Sequence, residues 1–268
     1  MKPPFAYFGG KTRIAEGIVD LLPDHEGYIE PFGGSLSVLL AKPVDRFEVV
    51  NDLSQDLMTF WRVLRDQPAE FERVCALTPH SRAEVIEAHS RDTVDDLERA
   101  RRVWVLLTQG RAGTFRQTGW RFYEDSSNCS FTTYLDGYKA RLAPVAARLI
   151  NVSLECRPAL EVIERYGRHS GNLLYVDPPY LNRTRNSRGY EHEMGTEREH
   201  EDLLQALLRV DASVVISGYD DPLYGDLLAG WRREVLLART QSGRHREEVL
   251  WINRSACRQQ VFDFGAIA

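Results

Sequence analysis

Leu173-Leu174-Tyr175-Val176-Asp177-Pro178-Pro179-Tyr180 is an apolar run that stops at an acid followed by two prolines. The run reads as a short buried strand. Proline lacks an N–H and fixes φ, so two in succession cannot continue a sheet, and the strand must end at Asp177. Its carboxylate then stands at the C-terminal edge of a strand, where open α/β sheets place their ligands. The Pro178 carbonyl is left without a ladder partner. Tyr180 offers a flat aromatic face beside these two acceptors.

That set suits an exocyclic amino group on a nucleobase. Such a nitrogen is weakly nucleophilic because its lone pair is delocalised into the ring. Two acceptors gripping its N–H bonds draw it towards a tetrahedral shape, and a stacked aromatic ring, worth roughly 1–3 kcal/mol, holds the base. The plain alternative is a rigid Pro-Pro turn with Asp177 as a solvated cap. The tetrapeptide alone does not choose; the rest of the chain does.

At 268 residues and 43% hydrophobic, the chain can bury the core of one domain, or of one domain with a smaller insert. No apolar run is long enough to span a bilayer. The segment Met1 to Ala6 lacks a signal-peptide core, so a cytoplasmic protein with no membrane partner is expected. Cys75, Cys129, Cys156 and Cys257 show no CxxC spacing and read as reduced thiols. His169, His192, His200 and His245 share no ligand spacing, so no metal is expected. The net charge of -5 does not announce a nucleic-acid binder. What matters for that function is whether basic residues gather on one face.

Upstream of the tetrapeptide, Tyr7-Phe8-Gly9-Gly10-Lys11 is a glycine turn opening an amphipathic helix. Paired glycines admit a ligand close to the backbone, and Lys11 could reach a carboxylate. The spacing is not that of a P-loop. Tyr28-Ile29-Glu30-Pro31-Phe32-Gly33-Gly34-Ser35 reads as a short strand and a glycine turn into a helix from Leu36 to Ala41, with Ser35 as N-cap. GxGxxG is absent, which disfavours a dinucleotide and leaves a smaller nucleoside open. Phe47 to Val50 reads as a second strand ending at Asn51-Asp52. An acid there binds ribose hydroxyls in such units; a helix-cap role is also open.

From Asp56 to about Ile150 the pattern turns helical, with Pro144 as an expected break. The exception is Arg111 to Arg121, basic and interleaved with aromatics and glycines. Such a loop can follow a phosphate backbone, or be an ordinary surface loop. After Asn151 the α/β rhythm returns, with helices at Ala159–Tyr166, Glu199–Leu208 and Leu223–Leu228 and a strand at Ser213–Ser217. Glu234–Leu237 and Glu248–Ile252 read as a closing antiparallel pair. Leu181 to Tyr190, carrying Arg183, Arg185 and Arg188, reads as a loop that clamps a polyanionic substrate.

Taken in order, Tyr7-Phe8-Gly9-Gly10-Lys11, Glu30-Pro31-Phe32-Gly33-Gly34-Ser35, Asn51-Asp52 and Asp177-Pro178-Pro179-Tyr180 resemble the Dam-like, D12-class DNA N6-adenine methyltransferases. This chain has Tyr7 and Phe8 where that family usually has Trp and Ala, and Gly33-Gly34-Ser35 in place of Gly-x-Gly. The resemblance implies an α/β, Rossmann-like S-adenosylmethionine-dependent methyltransferase sheet with a mainly helical target-recognition insert. The catalytic domain would comprise residues 1–55 and 151–268, and the insert residues 56–150. It implies S-adenosylmethionine as methyl donor, held by Tyr7, Gly10, Lys11, Phe32, Gly33, Gly34, Asp52 and Asp177. Catalysis would fall to Asp177, Pro178, Pro179 and Tyr180, acting on a flipped adenine. Duplex DNA would be the partner, touched by Arg111, Arg116, Arg183, Arg185 and Arg188. The resemblance leaves room for a cognate restriction nuclease and implies a monomer or weak dimer. The rival readings are a cytosine-N4 or RNA adenine methyltransferase, or a DNA-binding relative without activity.

Overall fold

The structure is a computed structural model that describes residues 1–90, 92, 94–122, 131–181, 193–239 and 245–253. Its centre is a seven-stranded sheet. The strands are β1 (Gly27–Glu30), β2 (Phe47–Asn51), β3 (Val152–Glu155), β4 (Asn172–Val176), β5 (Ser213–Gly218), β6 (Arg232–Arg239) and β7 (His245–Ile252). They lie in the order β3-β2-β1-β4-β5-β7-β6. The first five are parallel, and β7 runs antiparallel between β5 and β6. Strand order reverses between β1 and β4, and the crevice at their carboxyl ends is where such a sheet takes a ligand. This is the Rossmann-like methyltransferase sheet that the motifs imply.

β1, β4 and β5 are buried along their whole length, as expected of parallel strands covered on both faces. β4 ends at Val176, so the two prolines stop the ladder where their chemistry requires. Helix α1 spans Ala15–Val19 and α2 spans Ser37–Ala41. After the stretch from α3 to α8, described below, come α9 (Ala159–Tyr166), α10 (Glu197–Leu207) and α11 (Pro222–Leu227). α10 opens with a full capping box between Thr196 and Glu199.

The stretch between β2 and β3 forms α3 (Gln55–Asp66), α4 (Pro68–Leu77), α5 (Arg82–Ala88), α6 (Asp96–Gln109), α7 (Phe131–Lys139) and α8 (Leu142–Leu149). In α3, Leu57, Phe60, Trp61 and Leu64 are fully buried, a spacing that lays one helical stripe on the core. Each such side chain contributes about 1.5–3 kcal/mol. They join Tyr28, Val50 and Leu173 of the sheet, and Leu36 at the head of α2, in one apolar cluster. The helical stretch thus shares a core with one sheet face, and the division expected at 55/56 falls at the start of α3.

Two local expectations are corrected. Pro144 does not break a helix; it lies in the first turn of α8, where its missing N–H has no intrahelical partner to lose. Ser35 does not cap α2. The N-cap is Leu36, left-handed at φ 53°, and it makes no side-chain cap bond. Glu30 does the work instead: its Oε1 accepts from the Leu39 amide at 2.9 Å.

Candidate active site

A cavity of about 310 Å³ opens at the carboxyl ends of β1, β2 and β4. All eight residues expected to hold a cofactor line it: Tyr7, Gly10, Lys11, Phe32, Gly33, Gly34, Asp52 and Asp177. They come from four separated stretches, and the switch point of the sheet brings them together.

The wall on the β1 side is a glycine turn held from three directions. Gly34 adopts φ +49°, and a Cβ there would stand 3.0 Å from the Tyr7 ring. The Gly34 amide donates to Asp52 Oδ2 at 2.9 Å, and the Gly34 carbonyl accepts from Trp61 Nε1 at 3.1 Å. The Gly33 amide donates to the Asn51 carbonyl at 2.7 Å. Asp52 Oδ1 accepts from the Ser54 amide at 2.9 Å. Ser54, not Asp52, caps α3 by accepting from the Leu57 amide. The cap alternative for Asp52 therefore falls to its neighbour, and the Asp52 carboxylate stays on the cavity wall.

Asn51 joins three strand ends. Its Nδ2 donates to the carbonyls of Pro31 at 2.8 Å and Arg157 at 3.0 Å, and its Oδ1 accepts from the Arg157 amide at 2.9 Å. The segment after β3 contributes Arg157, Pro158, Ala159 and Leu160 to the cavity. Sequence reasoning assigned no role to these residues, because only the parallel pairing of β2 and β3 places them there.

At the β4 end the groups are charged. Lys11 is buried, and its Nζ donates to Asp177 Oδ1 at 2.7 Å and to the Gly9 carbonyl at 3.2 Å. Glu248 Oε1 lies 3.4 Å from the same ammonium. Burial alone would lower the Lys11 pKa; the Asp177 and Glu248 carboxylates outweigh it and hold it above its usual value. Burial pushes the Glu248 carboxyl up, against the opposing pull of Lys11. Glu30 also lines the cavity. Burial raises its carboxyl to about 7, against hydrogen bonds from the Tyr28 hydroxyl and the Leu39 amide.

Tyr180, expected as an open shelf, does not line the cavity, and neither does Pro178. The Tyr180 hydroxyl shares its one proton between Asp177 Oδ1, at 3.1 Å, and Glu248. Its ring packs edge-on against Tyr219 at 4.4 Å between centroids, with the Lys11 ammonium 4.9 Å from its centre. A buried phenol seeks an acceptor, and two carboxylates supply one here. Pro179 does reach the cavity.

The basic loop after α6 is docked beside the site. The Phe8 amide donates to the Gly113 carbonyl at 2.8 Å. Gly113 sits at φ +60°, with a would-be Cβ only 2.6 Å from the Ala6 carbonyl oxygen. Arg111 and Arg116 on this loop are exposed, and Arg116 Nη2 lies 3.3 Å from Glu193 Oε1 on the cavity wall. Arg183, Arg185 and Arg188 lie outside the described residues.

A switch-point cavity lined by a glycine turn, an acid ending β2 and an acid ending β4 defines the class: a Rossmann-like methyltransferase domain. The profile of the D12 class N6 adenine-specific DNA methyltransferases matches residues 7–237. The chain belongs to that family. It is 26% identical over 256 residues to a DNA N-6-adenine-methyltransferase of Escherichia phage P1, covering 88% of this chain and 32% of that protein. The chain thus spans about a third of the phage protein's length. It is 25% identical over 228 residues to a DNA adenine methylase of Salmonella typhi, covering 80% of each. Among solved structures, a SAM-dependent methyltransferase from Agrobacterium tumefaciens overlaps 89% of this chain and 58% of its own, at 12% identity and a TM-score of 0.38.

Proposed function

We propose that this protein is a site-specific DNA methyltransferase that moves a methyl group from S-adenosylmethionine to N6 of adenine in duplex DNA. The observation that carries the reading is the placement of Asp177. It directly follows β4, on the wall of the cavity that also holds the glycine turn and Asp52.

The residues present fit the donor. The Gly33-Gly34 backbone gives a surface that a Cβ would crowd. The Asp52 carboxylate ends the second strand, and each of its oxygens can accept more than one hydrogen bond, as ribose hydroxyls require. Phe32, Pro158, Ala159 and Leu160 give the apolar walls that a purine ring needs. S-adenosylmethionine supplies an electrophilic methyl group when bound.

Towards the target, Asp177 would accept from the adenine amino group, which would free the nitrogen lone pair for the methyl group that a bound donor would supply. The Pro178 carbonyl is the second acceptor, and Tyr180 turns its ring onto the base once its hydroxyl leaves Asp177. Extruding the base costs a few kcal/mol. Holding both reactants in line supplies much of the rate. No strong general base is needed, because the methylated ammonium is acidic. The loop bearing Arg111 and Arg116, docked against Phe8, tracks the phosphate backbone next to the site, and Arg183, Arg185 and Arg188 contact the same polyanion. The helices from α3 to α8 carry target recognition.

The test is methylation of mixed-sequence duplex DNA by the purified protein with S-adenosylmethionine, followed by base-resolution mapping. N6-methyladenine in a fixed context is expected. N4-methylcytosine, or no product on DNA, would overturn the reading.

A further inference from the structure

Four side chains from three remote stretches meet behind Asp177. The Lys11 ammonium faces two carboxylates, Asp177 Oδ1 at 2.7 Å and Glu248 Oε1 at 3.4 Å. The Tyr180 hydroxyl shares its one proton between the same two. Asp177 therefore shares both of its partners with Glu248. An Asp177 oxygen that accepts from Lys11 and Tyr180 is a poor acceptor for a third donor. Both contacts fall on Oδ1 and hold the carboxylate against Lys11 and Tyr180, so turning the side chain towards an incoming amine loosens at least one of them.

Glu248 is built to receive what Asp177 releases. It lies on β7 opposite Leu236 of β6, and its neighbour Val249 pairs with Gly218 at the end of β5. A β-strand is a rigid mount, whereas Asp177 sits one residue past the end of its strand. The Glu248 side chain is 7% exposed, so water does not compete for it. Without Glu248, turning Asp177 away would strip the buried Lys11 ammonium of its carboxylate partners and leave it the Gly9 carbonyl.

We infer that Glu248 is a positioning residue of the reaction centre, taking over Lys11 and the Tyr180 hydroxyl so that Asp177 can turn to the target amine. The inference rests on the function proposed above. The Lys11–Asp177 pair is then the waiting arrangement, and a Lys11–Glu248 pair the engaged one. Glu248 itself touches neither reactant.

The experiment compares wild type, Glu248→Gln and Glu248→Asp on one methylatable duplex. It measures kcat, KM for DNA, donor affinity by calorimetry, and melting temperature. Glu248→Gln keeps the shape and loses the charge. It is expected to lower kcat by about tenfold or more, with KM and donor affinity within about threefold of wild type. Glu248→Asp, which restores the charge, should recover part of kcat. A Glu248→Gln kcat within about twofold of wild type, or a loss confined to KM or donor affinity, would overturn the inference. So would variants that are unfolded at the assay temperature, which would mark Glu248 as a folding residue. A wild-type protein that transfers no methyl group would strike the proposed function itself, and this inference with it.

Discussion

Lys11 and Asp177, 166 positions apart in the chain, form an ion pair at 2.7 Å with both side chains largely shielded from water. The pair joins the first glycine turn to the end of β4 and fixes one wall of the cavity. A charge pair this buried, with further hydrogen bonds from Tyr180 and to the Gly9 carbonyl, resists loss of either partner far more than a surface pair does. Its location at the switch point puts it where chemistry is expected.

Asp52 is predicted to bind the donor. Its carboxylate also holds the Gly34 amide, so Asp52→Asn weakens both the ribose contact and the turn. Donor affinity measured by calorimetry should fall about 10- to 100-fold, since a hydrogen bond to a charged group is worth about 1.5–3 kcal/mol. Unchanged affinity would remove Asp52 from the donor site.

Glu30 makes stability depend on pH. Burial raises its carboxyl from 4.5 to about 7 in the folded chain, so between these values the folded state holds a proton that the unfolded state has lost. This contribution to stability is full below about pH 4.5 and is lost as pH rises through about 7. Glu30→Gln should remove that slope, on the order of 3 kcal/mol across the window, in denaturant melts run at several pH values. It should leave the variant the more stable protein at pH above 7. A wild-type slope that persists in Glu30→Gln would assign it to other groups.

Gly113→Ala tests the docking of the basic loop. The position is left-handed and faces the Ala6 carbonyl at 2.6 Å from a would-be Cβ. Left-handed backbone alone costs a non-glycine residue about 1–2 kcal/mol, and the contact adds to it. The melting temperature should fall and KM for DNA should rise; a variant that matches wild type in both would show that the loop is not held through this glycine.

Arg116→Ala separates DNA contact from stability. The Arg116–Glu193 pair is partly exposed, and such pairs contribute about 0–1 kcal/mol. Melting should be nearly unchanged. DNA affinity should fall across all sequences, with the slope of log affinity against log salt reduced by about one. An unaltered salt slope would take Arg116 off the phosphate backbone.

Much of the frame was legible in the residues because local chemistry forces it. Pro178 and Pro179 end β4 in any context, and the apolar spacing from Ala159 to Tyr166 outlines α9 as observed. The residues alone put Asp52 and Asp177 each at the tip of a strand; that only β1 separates those strands comes from the sheet order. Other features depend on partners remote in the chain. Leu36 accepts a left-handed backbone because Glu30 caps α2 from the preceding strand. Pro144 is harmless only because α7 ends just before it. Glu248 reads as a polar residue on a closing strand until β7 is threaded between β5 and β6. The inward turn of Tyr180 follows from the same threading, since Glu248 receives its hydroxyl.

Asp177 is proposed to grip the target amine. The most direct test of that role is methyl transfer by Asp177→Ala on the mapped DNA site, alongside donor affinity and melting temperature. A folded variant with no detectable N6-methyladenine is expected. A folded variant that methylates adenine at a substantial fraction of the wild-type rate would contradict it.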